Sequence, residues 1–177
     1  MYLWVGINVE EQLENIREKS KLIENRIGFK NSNFTLPLHI SLKMSFLIND
    51  KDYNLILNEI ANIYKNTKPF LIETKGIECE DVICWIKMCD NEMLNELQYN
   101  INTFLLNTFG IPLHEYDMDK KFHTTLFMEN DYNKISNAYN LIKDINVPKS
   151  LLANKFVIAM SQTGTLGTYK IIKEIVV

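Results

Sequence analysis

The chain has 177 residues, 46% of them hydrophobic and 23% charged, with a net charge of −3 at neutral pH and an isoelectric point near 5.7. That apolar content supports a compact core and excludes a disordered chain. The acidic balance excludes a broad basic surface for long duplex nucleic acid, which relies on many phosphate contacts, and leaves small nucleotides or short RNA ends as compatible partners.

The opening Met1-Tyr2-Leu3-Trp4 lacks a basic region before an apolar run, and no apolar stretch approaches the roughly 20 residues needed to span a bilayer. A cytoplasmic protein without a membrane partner is expected, as a monomer. Residues 2–9 alternate as a half-buried strand, with Leu3, Val5, Ile7 and Val9 on one face and Tyr2, Trp4, Gly6 and Asn8 on the other. Glu10 and Glu11 open a helix whose acidic first turn suits the positive end of its dipole. Leu13, Ile16, Ile23 and Ile27 form its buried stripe, Arg17, Lys19 and Lys21 point mainly outward, and Gly28 stops it.

Asn31-Ser32-Asn33 reads as a loop, and Pro37 allows entry to a strand running to about residue 48. Within it Ile40, Leu42, Met44 and Phe46 are expected to face the core, and His39, Ser41, Lys43 and Ser45 the other side. A second helix, capped by Asn49 or Asp50, carries Tyr53, Ile56, Leu57, Ile60, Ile63 and Tyr64 to the Thr67-Lys68-Pro69 break. Residues 70–79 and 82–89 form a hairpin about Glu80-Asp81. A third helix covers about residues 91–109, with Met93, Leu94, Leu97, Ile101, Phe104 and Leu105 as its stripe and Gly110 as its stop. After a loop over 111–121 a strand holds His123 and Thr125. A fourth helix spans about 131–145, and strands 155–161 and 168–176 close the chain across a Gly164/Gly167 turn. Cys79, Cys84 and Cys89, five apart with no Cys-x-x-Cys, read as reduced, partly buried thiols.

Two stretches stand out. Leu38-His39-Ile40-Ser41-Leu42-Lys43 and Phe122-His123-Thr124-Thr125-Leu126-Phe127 each read His, any residue, hydroxyl, Leu. Any one His would meet that pattern by accident about one time in twenty, and two of the chain's three do so. On a strand, His39 and Ser41 share a face, as do His123 and Thr125. The plain alternative is a pair of half-buried histidines satisfied by backbone. A faint internal repeat accompanies the motifs, because a Trp-bearing strand precedes the helix before each, at Trp4 and Trp85. If the faces are shared, both indoles point toward the histidines, where they could stack on bases, although core packing is the commoner role of Trp.

His-x-Ser/Thr-aliphatic twice, half a chain apart, resembles the 2H phosphoesterase superfamily, which includes LigT-like 2′-5′ RNA ligases and cyclic phosphodiesterases. Met160-Ser161-Gln162, Gly167, Tyr169 and the closing apolar strand resemble that superfamily's C-terminal hairpin. The chain departs from the usual pattern in placing Thr124 between His and hydroxyl and in having no Arg after the second motif. The resemblance implies an α+β fold with two pseudo-symmetric lobes, each a mainly antiparallel sheet with helices on its outer face, around a central cleft. One bilobal domain over residues 1–177 is expected. It also implies a phosphodiesterase acting on nucleotide cyclic phosphates, 2′-5′ linkages or, in some branches, cyclic oligonucleotide signals.

Two imidazoles near neutral pH can deprotonate a nucleophile and protonate a leaving oxygen without a metal or other cofactor. His39 and His123 are the candidate acid and base, in either order, and Ser41 and Thr125 the candidate donors to non-bridging oxygens. Lys43, Trp4, Trp85 and Tyr169 are candidate substrate contacts, with Lys87 a further source of local positive charge. Reversible ligation would use the same residues in reverse. A non-catalytic nucleotide or RNA-end binding module is the main rival. A metal-dependent hydrolase would draw on His114, Asp117 and Asp119, but the chain shows no His-x-x-x-His or comparable ligand spacing.

Overall fold

Alternating apolar side chains place strand β1 at Tyr2–Asn8, and in the computed structural model it forms the second strand of a four-stranded antiparallel sheet. The structure describes residues 1–29, 35–118 and 121–177; the loop expected at Asn31-Ser32-Asn33 and the carboxylate of Asp119 lie outside them. The remaining strands are β2 (His39–Leu47), β3 (Phe70–Glu80), β4 (Ile83–Met88), β5 (His123–Met128), β6 (Ser150–Ala153), β7 (Lys155–Ser161) and β8 (Lys170–Val176). The helices are α1 (Glu14–Ile27), α2 (Tyr53–Lys65), α3 (Glu92–Phe109), the single turn α4 (Glu115–Met118) and α5 (Tyr132–Ile142).

The strands form two sheets, ordered β2-β1-β7-β8 and β5-β4-β3-β6, with every pairing antiparallel. Each motif strand is the outer strand of its sheet, beside the strand that precedes it in the chain. β2 and β5 lie against each other, so the two sheets meet along their motif edges. Helices cross between the halves: α1 packs on α5 and β5, and α3 on α2 and β2. Consequently Leu3, Ile40 and Phe156 of one sheet and Ile72, Ile86 and Leu126 of the other belong to one continuous buried cluster. Burying apolar surface at about 25 cal/mol per Å² is what joins the lobes.

The caps follow from local chemistry. Gly28 and Gly110 end α1 and α3 in the left-handed conformation, at φ 75° and 67°, where a side chain would be strained. Asn91 and Asp131 accept hydrogen bonds from the first-turn amides of α3 and α5.

Four expectations are corrected. The acidic Glu10–Leu13 segment is a 3-10 turn before α1 rather than part of it. Arg17 is buried, not outward. Met93 is 38% exposed and outside the α3 stripe, which is formed by Leu94, Leu97, Ile101 and Leu105. Strand β6 has no counterpart among the expected elements, because four residues soon after a proline give too short a pattern. Its pairing is decided by distant partners: β6 pairs with β3, and the Gln12 side chain donates to the Leu152 carbonyl at 2.9 Å while accepting from the Leu152 amide at 2.6 Å.

Candidate active site

The motif residues fall on β2 and β5 with the expected alternation at their starts. His39 and Ser41 are half-buried between buried Ile40 and Leu42, and His123 and Thr125 are half-buried between buried Thr124 and Leu126. Each imidazole is held in the same way. His39 Nδ1 lies 2.7 Å from the Pro37 carbonyl, and His123 Nδ1 lies 2.7 Å from the Lys121 carbonyl. A carbonyl only accepts, so each Nδ1 carries the proton and each neutral ring keeps its lone pair on Nε2. Backbone therefore satisfies one nitrogen of each ring and leaves the other for chemistry.

The segment leading into His39 is braced from α1 and the turn before it. The Leu38 amide donates to Glu10 Oε2 at 2.7 Å, Glu10 Oε1 pairs with Arg17 Nε at 3.3 Å, and Arg17 Nη1 donates to the Leu36 carbonyl at 3.2 Å. Glu10 reaches Arg17 because the 3-10 turn before α1 departs from the helix, so helical spacing alone does not pair them. Burial is the largest influence on His39 and pushes its pKa down to about 4; the Pro37 carbonyl opposes this, and positive charge on His123 and Arg17 reinforces it. Burial also lowers His123, with the Lys121 carbonyl working against it.

Trp4 lies at 6% exposure, which leaves no open ring face for a base and corrects the stacking expectation. Its indole meets the His39 ring edge-on with centroids 4.3 Å apart, and its Nε1 donates to Ser41 Oγ at 3.0 Å. Because an indole N–H can only donate, Ser41 accepts there and keeps its own proton for a ligand oxygen. Gly6 makes this possible. A Cβ at that position would stand 2.5 Å from the Ile40 carbonyl and 2.5 Å from Trp4 Cζ2. Gly6→Ala is therefore expected to destabilise by about 1–3 kcal/mol, the usual cost of overpacking, and to break the indole–Ser41 bond. Thermal denaturation and the Trp4 indole proton resonance would register both.

Tyr169 is likewise a packing residue. It is 9% exposed in a small cluster with Trp4, Val157 and Ala159, and its hydroxyl shares a hydrogen bond with Ser45.

Lys43 does not share the His39 face. Two bulges in β2 interrupt the alternation: between the Leu3–Phe46 and Val5–Lys43 pairs two steps on β1 answer three on β2, and one step answers two before Gly6–Ser41. Lys43 is thereby turned inward to 1% exposure. Its Nζ meets Asp117 Oδ2 at 2.5 Å and the Pro112 carbonyl at 2.9 Å. Asp117 also accepts from the amides of Met44 at 2.9 Å and His114 at 2.8 Å, so it fastens the segment before His123 onto β2. This takes Asp117 out of any set with His114, which is exposed on that segment. Among the described residues no group of three or more His, Cys, Asp or Glu side chains is placed to hold a metal ion.

On the second sheet, Lys87 stands directly across from His123 and Trp85 directly across from Thr125. On the first, the corresponding positions are Asn8 across from His39 and Gly6 across from Ser41. The two tryptophans are thus not equivalent, as the sequence repeat suggested; Trp4 reaches its hydroxyl from two residues farther along the strand. The half-buried Trp85 ring lies 4.9 Å from the His123 ring, and its Nε1 is buried without a hydrogen-bond partner among the described residues. Lys87 Nζ pairs with Glu78 at 2.9 Å, with the two side chains 34% and 44% exposed.

Comparison with known proteins agrees with this architecture. No family model matches the sequence. A provisionally named phosphoesterase of Staphylococcus epidermidis is 34% identical over 83 residues, 44% of this chain and 47% of that protein, so the chain spans about half the length of the curated relative it matches. The crystal structure of TT0787 of Thermus thermophilus superposes at TM-score 0.68 over 99% of this chain and 97% of that one, at 17% identity. Escherichia coli LigT complexed with 3′-AMP superposes at TM-score 0.66 over 99% and 97%, at 12% identity. No helix among the described residues is long and apolar enough to cross a membrane. With both His-x-hydroxyl-Leu strands on the meeting edges of a fold shared end to end with LigT, the chain has the two-lobed fold of the 2H phosphoesterases and resembles that superfamily in motif as well as in architecture.

Proposed function

We propose that this protein is a metal-independent phosphodiesterase that hydrolyses a nucleotide cyclic phosphate or a 2′-5′ phosphodiester, with His39 as general base and His123 as general acid. The observation that carries the reading is the matched pair of Nδ1–carbonyl bonds, which leaves one Nε2 from each strand for proton transfer. His39, held down to about 4, is neutral at neutral pH and suited to accept a proton. In the forward step His39 Nε2 takes a proton from water as its oxygen attacks phosphorus. The P–O bond to the leaving ribose oxygen breaks, and His123 Nε2–H protonates that oxygen. Solvent then resets the pair. Ser41 and Thr125 hydroxyls hold the non-bridging oxygens, whose charge is stabilised by fixed donors. The reading is in keeping with the nucleotide in the LigT complex with 3′-AMP.

The test is turnover, in EDTA, of 2′,3′-cyclic nucleotides, a 2′-5′-linked dinucleotide and a cyclic dinucleotide. kcat/KM should be bell-shaped in pH. Below about 4 His39 becomes protonated and cannot act as base, so the rate falls. At higher pH His123 loses the proton it must donate, and because burial lowers its pKa the decline should begin below 6.5. Activity that vanishes in chelator, or that only rises with pH, would overturn the mechanism.

A further inference from the structure

We propose that Lys87 and the indole N–H of Trp85, with the Thr125 hydroxyl, form an anion seat on the second lobe that holds the substrate phosphate against His123. The inference rests on the phosphodiesterase reading and adds the binding residues and the polarity with which substrate lies.

The argument is one of cross-strand position. Residues directly opposite on antiparallel strands have Cβ atoms about 4.5–5.5 Å apart, so the Lys87 and Trp85 side chains flank His123 and Thr125 on one face. The positions across from the first motif offer no comparable pair of donors among the described residues: Gly6 has no side chain, Asn8 is uncharged, and the nearby indole N–H of Trp4 is already used on Ser41. Lys43 is sequestered by Asp117. The Lys87–Glu78 pair is half-exposed, a setting in which ion pairs add little stability, so Lys87 can exchange Glu78 for a phosphate at small cost. Trp85 Nε1 is a buried donor without a partner among the described residues, an expensive state that calls for one. A modest turn of its half-buried ring toward a seated phosphate oxygen supplies one. An anion in this seat also favours the protonated form of His123, the form a general acid requires.

The chain has only two tryptophans, so its indole N–H resonances report each lobe separately. The experiment titrates inorganic phosphate, then 3′-AMP, into the wild-type protein and the variants Lys87→Gln, Lys87→Arg and Glu78→Gln, with Trp85→Phe assigning the signals. Phosphate is expected to shift the Trp85 resonance and leave that of Trp4 in place. Lys87→Gln should weaken binding about ten- to a hundredfold, the worth of a charge-assisted hydrogen bond, and raise KM more than it lowers kcat. Lys87→Arg should retain binding within a few-fold, and Glu78→Gln should tighten it by removing the competitor. Unchanged binding and KM in Lys87→Gln, a shift confined to Trp4, or no shift at all would overturn the seat. If phosphate binds as described but none of the substrates turns over, the seat stands and the phosphodiesterase reading falls. If turnover is robust while Lys87→Gln behaves as wild type, the reverse holds.

Discussion

Replacing either His39 or His123 by alanine is expected to lower kcat on the preferred substrate by about 10²–10⁴-fold, the usual contribution of a positioned general acid or base. The double variant should be little worse than the poorer single one, because the two groups act in one proton-transfer step and their losses do not multiply. Both rings lean on a tryptophan, so a loss of activity must be separated from a loss of fold. Thermal denaturation of each variant does this: neither imidazole carries an ion pair among the described residues, and melting should fall far less than activity. The variants should also differ in pH dependence. His123→Ala should lose the high-pH decline, and His39→Ala the low-pH one. A variant pair that keeps more than a tenth of wild-type kcat would show that these imidazoles are structural.

The second large effect is on stability. Lys43 and Asp117 form an ion pair whose side chains are 2% and 1% exposed, and removing one partner leaves a buried charge uncompensated. Asp117→Ala is expected to cost about 3–5 kcal/mol, which in a chain of this size is roughly 6–20 °C in melting temperature. Asp117→Asn should cost less, because the one amide oxygen still accepts from either the Met44 or the His114 amide, which the carboxylate serves with separate oxygens. Lys43→Met alone should be as damaging as Asp117→Asn. Combined, they should be less destabilising than the sum, since the double variant leaves no orphan charge. Activity should fall with Asp117→Ala even below the melting transition, because the carboxylate fastens the segment that delivers His123. Additive melting shifts in the cycle would refute the coupling.

Much of the fold was legible in the sequence. Period-2 alternation located β1 and the starts of β2 and β5, period-3.6 stripes located the four long helices, and Gly28 and Gly110 marked two helix ends. These are local signals, written within one or two turns of chain. What could not be read depended on distant partners. Four-residue β6 exists because β3 and Gln12 accept it, and Arg17 is buried because Glu10 and the Leu36 carbonyl receive it. A helix stripe alone would have sent that guanidinium to solvent.

The same division runs through the site. The sequence by itself determined that two imidazole–hydroxyl pairs would each project from one face of a strand, because alternation is a property of the backbone. It could not determine what stands opposite them, because cross-strand register is set by bulges and packing between segments far apart. Two bulges in β2 turned Lys43 from a candidate phosphate contact into the anchor of Asp117. Register alone set Asn8 and Gly6 against one motif and Lys87 and Trp85 against the other, making unlike lobes from like motifs. Burial, which follows from how the two sheets close on each other, then separated two chemically identical imidazoles from the ordinary histidine and moved His39 to about 4.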